Sequence, residues 1–402
     1  VKGMSKSKQR LRHLPPSAVP VTMADLQAGL GASPQANVDF RSAVAAYHDL
    51  PPQACYLASS GRTVLYTLLK GLAAEREGRR QVIMPAYTCP VLPKVALDLN
   101  LEPVYVDIWP ETTRYKQDQL SALIGEQTLA IFLVHPFGIP LPVDDVIEAV
   151  RRTGAALIED AAQAMGARWA ERPVGLAGDF GLFSLGPGKP LSTGGGGIVI
   201  TGQEQNRAAL ARWWAELPPS SGFSSTQAWM RQAAFQLAFH PRGWWAATRV
   251  GLQRMGNQEA SWGYTVRDLS SSQAEIGRAL LPRLDEINGR RKETATRVAR
   301  AVNNSTSLQT LVVEQEAQPI YLRLPLLAES ESRREQLFEQ MWAAGIGAGR
   351  MYEKTLPEIF SPESQTYYPG ATDFAQRLLT LPTHYHVSED DIERMETILA
   401  DF

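Results

Sequence analysis

Between Gln81 and Ile158 short apolar runs alternate with helical stretches, and that alternation leaves few architectures open. Residues 81–84, 103–107, 129–135 and 155–158 read as strands, with helices over 91–99 and 143–153 between them. Such a series builds an open, mainly parallel sheet, and these sheets collect ligands at the carboxyl ends of their strands. Tyr87, His135 and Asp160 fall near those ends, His135 as part of a pocket wall. A chain of 402 residues, 44% hydrophobic, can bury a large core and form two domains or one large one. Its net charge of -2 gives no electrostatic case for nucleic acid. Cys55 and Cys89 are too few for a disulfide framework or a four-cysteine metal site. No metal is expected at His135, His384 or His386 either, because the last two lack a nearby third ligand. No secretory signal is expected, because residues 1–16 lack an apolar core, and no apolar run is long enough to span a bilayer; a cytoplasmic enzyme is the expectation.

The stretch from Leu157 to Thr201 concentrates the chemistry. One apolar run ends in Glu159-Asp160 and turns into Ala161-Ala162-Gln163-Ala164. A second, at 180–185, carries Ser184 and leads through Gly186-Pro187-Gly188 to Lys189, after which glycines 194–197 precede Ile198-Val199-Ile200. A carboxylate at a strand end, a hydroxyl and a lysine among glycines compose a site for a phosphorylated, electrophilic cofactor. Upstream, Ser59-Ser60-Gly61-Arg62-Thr63 precedes a helical pattern that starts at Val64. A Ser-Gly turn opening a helix offers backbone N–H groups and the positive end of the helix dipole to a phosphate. The same residues also read as an ordinary N-cap.

IEDAAQA, then FS, then a lysine five residues after that serine, then TGGGG, resemble the DegT/StrS family of pyridoxal-phosphate (PLP) aminotransferases. The resemblance runs from about Ala58 to the C-terminus and is least over 203–262. It implies an α/β chain of PLP fold type I, with a three-layer, mainly parallel PLP-binding large domain and a smaller C-terminal α+β domain. It also implies Lys189 as the amine for the cofactor aldehyde, Asp160 as the pyridinium partner, and Gln163 beside the phenolic oxygen. Ser184, Ser60, Gly61 and Arg62 become phosphate ligands, Arg62 standing where the family usually has threonine. The family's ring-stacking aromatic is Cys89 here, and Tyr87 is the candidate replacement. Gly195 stands where the family often has glutamate. Gly263-Tyr264-Thr265-Val266-Arg267 resembles a family loop that reaches the neighbouring subunit's cofactor site, with Thr265 in place of asparagine. Relatives that dehydrate sugars carry histidine at the Lys189 place, so the lysine implies a transaminase. The implied reaction is ping-pong, through a Lys189 aldimine, from an amino-acid donor such as glutamate to a keto-sugar that is nucleotide-linked. A homodimer with a shared active site is implied. Rival readings are a PLP enzyme of the same fold with a non-sugar, apolar substrate, and a non-catalytic PLP-binding sensor.

The remaining segments frame this site. Residues 1–16 read as a disordered basic tail, 17–268 as the large domain and 269–402 as the small one. Short helices are expected from Val19 and over 42–47, a single long helix over 270–302, and strands over 320–327 and 346–352. Arg290-Arg291-Lys292 reads as a solvated face of the long helix. Helices are also expected over 333–344 and 388–399, the latter with Ser388 and Asp391 as a capping box. Within the helical insertion 203–262 stand Trp213, Trp214, Trp229, Trp244, Trp245 and Trp262, and two helices are expected to break at His240-Pro241. That segment reads as packing against the core or a partner, as an aromatic lid, or as a membrane-surface contact.

Overall fold

The structure, a computed structural model, describes residues 11–18, 20–249, 263–302 and 305–402. Lys2, Lys6, Lys8, Arg10, Val19, Arg254 and Trp262 lie outside the described residues. The main sheet is built from β1 (Cys55–Ala58), β2 (Gln81–Pro85), β3 (Glu102–Val106), β4 (Thr128–Val134) and β5 (Ala156–Asp160). A small hairpin of β6 (Arg168–Trp169) and β7 (Arg172–Pro173) intervenes before the main sheet resumes with β8 (Phe180–Ser184) and β9 (Gly197–Ile200). Its order is β1-β9-β8-β5-β4-β2-β3, with β9 antiparallel to both neighbours and β8, β5, β4, β2 and β3 mutually parallel.

Every residue of β4, TLAIFLV, is buried, as a central strand covered on both faces requires. Alternate side chains divide between two cores. Ala130 and Phe132 join Val82 and Met84 on one face. Ile131 and Leu133 join Ile83 and Leu157 on the other. Helix α1 (Met23–Leu30) opens on a Thr22–Asp25 capping box, and α2 (Ala36–Tyr47) begins six residues before the expected 42. After β1 come α3 (Gly61–Glu75), α4 (Val91–Asp98), α5 (Gln117–Leu123) and α6 (Asp144–Thr153), each between strands. Gly154, at φ 69°, ends α6 in the left-handed conformation that glycine tolerates.

The Trp-rich segment forms α7 (Glu204–Ala215), α8 (Gly222–Ala238) and α9 (Pro241–Arg249), with the break at His240-Pro241 and proline in the first helical turn. Its indoles are largely engaged inside the molecule. Trp213 donates to Glu75 Oε1 at 3.1 Å, Trp214 to the Leu57 carbonyl at 2.9 Å and Trp229 to the Leu26 carbonyl at 2.7 Å. Trp244 stacks on Phe239 with centroids 5.4 Å apart.

Four expectations need correction. The long helix over 270–302 is two helices, α10 (Ser271–Leu280) and α11 (Leu284–Val302), split by a 3-10 turn at Leu281–Arg283. Pro282 causes the split, since it lacks an N–H and disfavours helical backbone before it. Arg291 is not solvated. It lies on the inward row of α11 with Leu284, Ile287, Asn288, Ala295 and Val298, 2% exposed, and burial lowers its pKa to about 10. Residues 346–352 form only isolated bridges, Leu14 with Ile346 and Gly349 with Thr380. The tail is also shorter than sixteen residues: Leu14 is fully buried, and Arg12 pairs with Asp391 at 2.6 Å. Gly347 leaves the space that this strap occupies, because a methyl group there would stand 2.4 Å from the Leu14 carbonyl.

Beyond α11 an antiparallel sheet runs β10-β12-β13, formed by β10 (Leu308–Thr310), β12 (Arg323–Ala328) and β13 (Leu378–Pro382). Between β10 and β12, β11 (Ala317–Gln318) adds to the β6–β7 hairpin. Helices α12 (Glu331–Ala343), α13 (Leu356–Phe360), α14 (Pro369–Arg377) and α15 (Glu389–Asp401) complete this part, α15 with the Ser388–Asp391 capping box. Packing of the Trp-rich segment gives a direct test. A methyl at Gly71 of α3 would stand 2.2 Å from the Trp213 ring. Gly71→Val is expected to cost about 1–3 kcal/mol by overpacking, read by urea unfolding, and an unchanged midpoint would mean that α7 does not hold α3.

Candidate active site

Strand β5 ends in two carboxylates that alternate to opposite sides. Glu159 is buried and accepts from the backbone N–H groups of Gly175 at 2.9 Å, Ala177 at 2.6 Å and Gly178 at 2.9 Å. His135 Nε2 lies 3.1 Å from Glu159 Oε2, while its Nδ1 accepts from the Leu141 N–H at 3.0 Å. That pattern places the imidazole proton on Nε2. His135 is wholly buried and stands behind the cleft as a support for Glu159. Burial alone would raise the Glu159 pKa, but His135 and the backbone donors outweigh it and hold the carboxyl below its usual value.

Asp160 faces the other way and has fewer partners. The Ala162 N–H donates to its Oδ1 at 3.0 Å, and Oδ2 has no hydrogen-bond partner among the described residues. Burial raises its pKa, with Ala162, Lys189 and His135 pulling the other way. Lys189 is the nearby cation. Its ammonium is pushed down first by burial and further by Arg323, against the pull of Cys89 and Asp160. Gln163 Oε1 accepts from the Phe137 N–H at 3.0 Å, which fixes the amide with Nε2 as its remaining donor.

The candidate phosphate residues gather at the start of α3. Ser60 is the N-cap, its Oγ accepting from the Thr63 N–H at 3.0 Å. A methyl at Gly61 would lie 3.4 Å from Ser184 Oγ, so the turn and the end of β8 face each other. Gly197 abuts the same turn, since a methyl there would stand 2.7 Å from the Gly61 nitrogen. Ser60, Gly61 and Ser184 therefore form a cradle at a helix N-terminus, the arrangement that favours an anion. Arg62 Nη1 donates to the Gly263 carbonyl at 3.2 Å, and Ser59 holds the carbonyls of Thr265 and Arg267 at 2.7 and 3.0 Å. The 263–267 loop thus lies against the turn of its own subunit.

Tyr87 is 8% exposed, its ring edge-on to Phe374 at 4.8 Å and to Tyr352 at 5.7 Å. Its hydroxyl accepts from the Tyr352 N–H at 3.3 Å, and burial raises its pKa. Sequence reasoning missed two members of the cleft, and it weighed Cys89 only as a lost aromatic. Tyr352 hydrogen-bonds Cys89, and burial followed by Cys89, Tyr87 and Asp160 raises its pKa. Arg323, the first residue of β12, is kept by burial at a pKa of about 10, and it has no carboxylate partner among the described residues. Gly349 makes room for it, a methyl there standing 2.9 Å from Arg323 Nη1. Chain distance hides these residues, because Arg323 acts on Lys189 from β12 and Tyr352 meets Tyr87 and Cys89 from the segment after Gly349.

With this geometry in place, comparison with known proteins is specific. The family model for the DegT/DnrJ/EryC1/StrS aminotransferase family matches residues 22–400. A UDP-N-acetyl-3-dehydro-alpha-D-glucosamine 3-aminotransferase of Acidithiobacillus ferrooxidans is 25% identical over 85% of this chain and 82% of that protein. An L-glutamine:2-deoxy-scyllo-inosose aminotransferase of Micromonospora echinospora is 36% identical over 43% of this chain and 39% of that protein. Among solved structures, the PLP form of the sugar aminotransferase Spr1654 from Streptococcus pneumoniae superposes with a TM-score of 0.75 at 20% identity. That match covers 97% of this chain and 99% of the other, and it shows the shared fold.

The Glu159 network predicts a pH signature. Its folded pKa is depressed, so its contribution is present above the unfolded value of about 4.3 and is lost as pH falls through the folded value. Glu159→Gln is expected to lose about 1.5–3 kcal/mol at neutral pH, the worth of hydrogen bonds to a charged group. The gap from the parent should close in acid when urea unfolding is followed across pH. A gap constant with pH would mean that the carboxylate charge contributes nothing.

Proposed function

This chain belongs to the DegT/DnrJ/EryC1/StrS aminotransferase family, and from that premise and the cleft we propose a PLP-dependent transfer of an amino group from glutamate to a nucleotide-linked keto-sugar. The observation that carries the reading is a buried Asp160 whose second oxygen lacks a protein donor, with Lys189 as a cation near enough to pull on it. Such a carboxylate fits a cationic ring N–H, whose charge would offset the effect of burial on the acid. Lys189 would hold the cofactor aldehyde, Asp160 the ring nitrogen, Gln163 the phenolic oxygen, and Ser184 with Ser60, Gly61 and Arg62 the phosphate. Tyr87 would support the ring from the wall that it shares with Phe374 and Tyr352. When bound, PLP supplies an aldehyde and a protonated ring that draws electrons from the carbon losing its proton.

The chain's own residues do the rest. A depressed pKa leaves the Lys189 Nζ able to attack as a neutral amine and, once released, to carry a proton to and from the substrate carbon. Arg323, a cation without a carboxylate beside that amine, would receive the carboxylate of the amino donor. The relatives' names supply the acceptor class, a UDP-linked keto-sugar in one and a cyclitol ketone in the other. Internal packing of Trp213, Trp214 and Trp229 supports an acceptor that needs no aromatic lid. We place the enzyme in a homodimer, as the family resemblance implies; among the described residues no helix is long and apolar enough to cross a membrane.

Purified protein loaded with PLP is expected to show a Schiff-base absorption band that glutamate converts to the pyridoxamine form, and Lys189→Ala is expected to lack that band. A protein that keeps its band with every amino donor would sink the transaminase reading. Arg323→Met is expected to weaken glutamate in this half-reaction by roughly 10- to 100-fold without altering PLP retention. An equal loss with a donor amine that has no carboxylate would remove Arg323 from donor recognition.

A further inference from the structure

Residues 12–17 form a strap that runs from the start of α15 to the turn that carries Lys189. At its outer end Arg12 Nη1 donates to Asp391 Oδ1 at 2.6 Å and Nη2 to the His386 carbonyl at 2.7 Å. The His13 N–H donates to the Pro241 carbonyl at 3.1 Å, and the Leu14 N–H to the Gly345 carbonyl at 2.8 Å. Leu14 is fully buried in the core that β12, β13, α12 and α15 share. His384 Nδ1 accepts from the His386 N–H, so the ring proton sits on Nε2, which donates to the Pro15 carbonyl at 2.9 Å. At the inner end the strap meets Gly188, where a methyl would lie 2.8 Å from Ser17 Oγ.

The make-up of the strap lets it transmit position. Pro15 and Pro16 fix their own φ, carry no N–H to satisfy and disfavour helical backbone in the residue before them. A Pro-Pro step is a stiff, extended strut, so a displacement at Leu14 reaches Ser17. Gly347 opens the groove for it, since a methyl there would stand 2.4 Å from the Leu14 carbonyl and 2.6 Å from the Pro16 nitrogen. On the other side of Lys189 the buried Arg291 donates to the Pro190 carbonyl at 3.4 Å. The strap also leads to Arg323, because β13 ends at Pro382, the partner of Arg323 in register, and His384 follows two residues later. We propose that the strap is a positioning element for the reaction: through Ser17 on Gly188 it clamps the 186–190 turn to the sheet that presents Arg323. Lys189 is thereby kept out of water and at a fixed place relative to that guanidinium. The proposal rests on the aminotransferase reading for the role of Lys189, while the clamp itself needs no cofactor.

Two substitutions outside the cleft release the strap. Gly347→Ala pushes it from its groove, and Leu14→Asp places a carboxylate in an apolar core. Both are read in the full-length chain, stripped of PLP, by hydrogen exchange at 186–190 and by competitive acetylation of Lys189 across pH, resolved by mass spectrometry. Cys89, Asp160 and Arg323 face the amine in parent and variants alike. Release is expected to speed exchange at 186–190 by roughly 3- to 10-fold, the worth of one hydrogen bond. It is also expected to raise the pH midpoint of acetylation by roughly one unit or more, toward the ordinary lysine value of about 10.4. Leu14→Met, which keeps the volume, should match the parent in both. If Leu14→Asp or Gly347→Ala does not fold, Arg12→Met, which loosens only the outer end, decides by a smaller change of the same sign. Faster exchange confined to α12 and α15, with the Lys189 midpoint unmoved, would overturn the clamp and leave the strap a brace of the C-terminal sheet. A chain that never shows a PLP band, yet moves Lys189 on release, would retract the cofactor assignment and leave the clamp standing.

Discussion

The buried carboxylate of Glu159 is the constraint on which the cleft depends. It draws in the backbone N–H groups of Gly175, Ala177 and Gly178 and the imidazole of His135. The loop that returns the chain from β5 to β8 is thereby tied to the end of β5, and His135 ties in the end of β4. A charge buried without such donors would be expelled or neutralised. With them, it fixes the backbone of its neighbour, and the alternation of a strand then aims Asp160 into the cleft. Ser184 follows from the same register, because β8 pairs with β5 through Asp160 and Leu182. One saturated acid behind the sheet thus positions an unsaturated acid in front of it.

The two acids show why composition alone cannot assign roles. They are adjacent in sequence and both are buried. Glu159 has every acceptor direction filled by donors and is held below its usual pKa, whereas Asp160 has one backbone donor and is raised. The cleft around Asp160 gathers cations instead, Lys189 and Arg323, with Arg291 beneath them at the Pro190 carbonyl. His384 supplies no counter-charge. Its Nδ1 accepts from the His386 N–H, Nε2 bonds the Pro15 carbonyl, and burial lowers its pKa to about 3. Positive charge in excess of carboxylate, held in a low-dielectric interior, is costly until anionic ligands arrive. That imbalance is a physical signature of a site for acidic small molecules.

How much of this was legible depended on the range of the interactions. The strands of the main sheet could be read because central strands covered on both faces leave continuous apolar runs, as in TLAIFLV. The Ser60 turn and the Glu159-to-Lys189 segment could be read because their motifs are local. Arg291 could not. A basic run looks solvated until the helical period turns its middle member inward, and only the position of α11 decides which member that is. Tyr352 and Arg323 were equally hidden, since nothing near them in sequence marks a cleft; Arg323 enters it through the pairing of β12 with β13, and Tyr352 follows the isolated bridge of Gly349 to Thr380. Pro282 is the local signal for the break between α10 and α11. It splits a periodic pattern that otherwise runs unbroken into the last turn of α11.

The Trp-rich segment gains its meaning from the glycines it meets. Gly71 admits the Trp213 ring against α3, which seats α7 on the helix whose N-terminus faces Ser184. Gly194 and Gly195 admit Gln232 and Arg231 of α8. Gly195 carries no side chain, and the Arg231 guanidinium from a neighbouring helix fills the space beside it. A carboxylate at that point would have neutralised Arg231 internally; without one, the guanidinium and the buried amides retain their donors. Gly194-Gly195 and α8 are therefore packed as one unit, since a side chain at either glycine would displace Gln232 or Arg231.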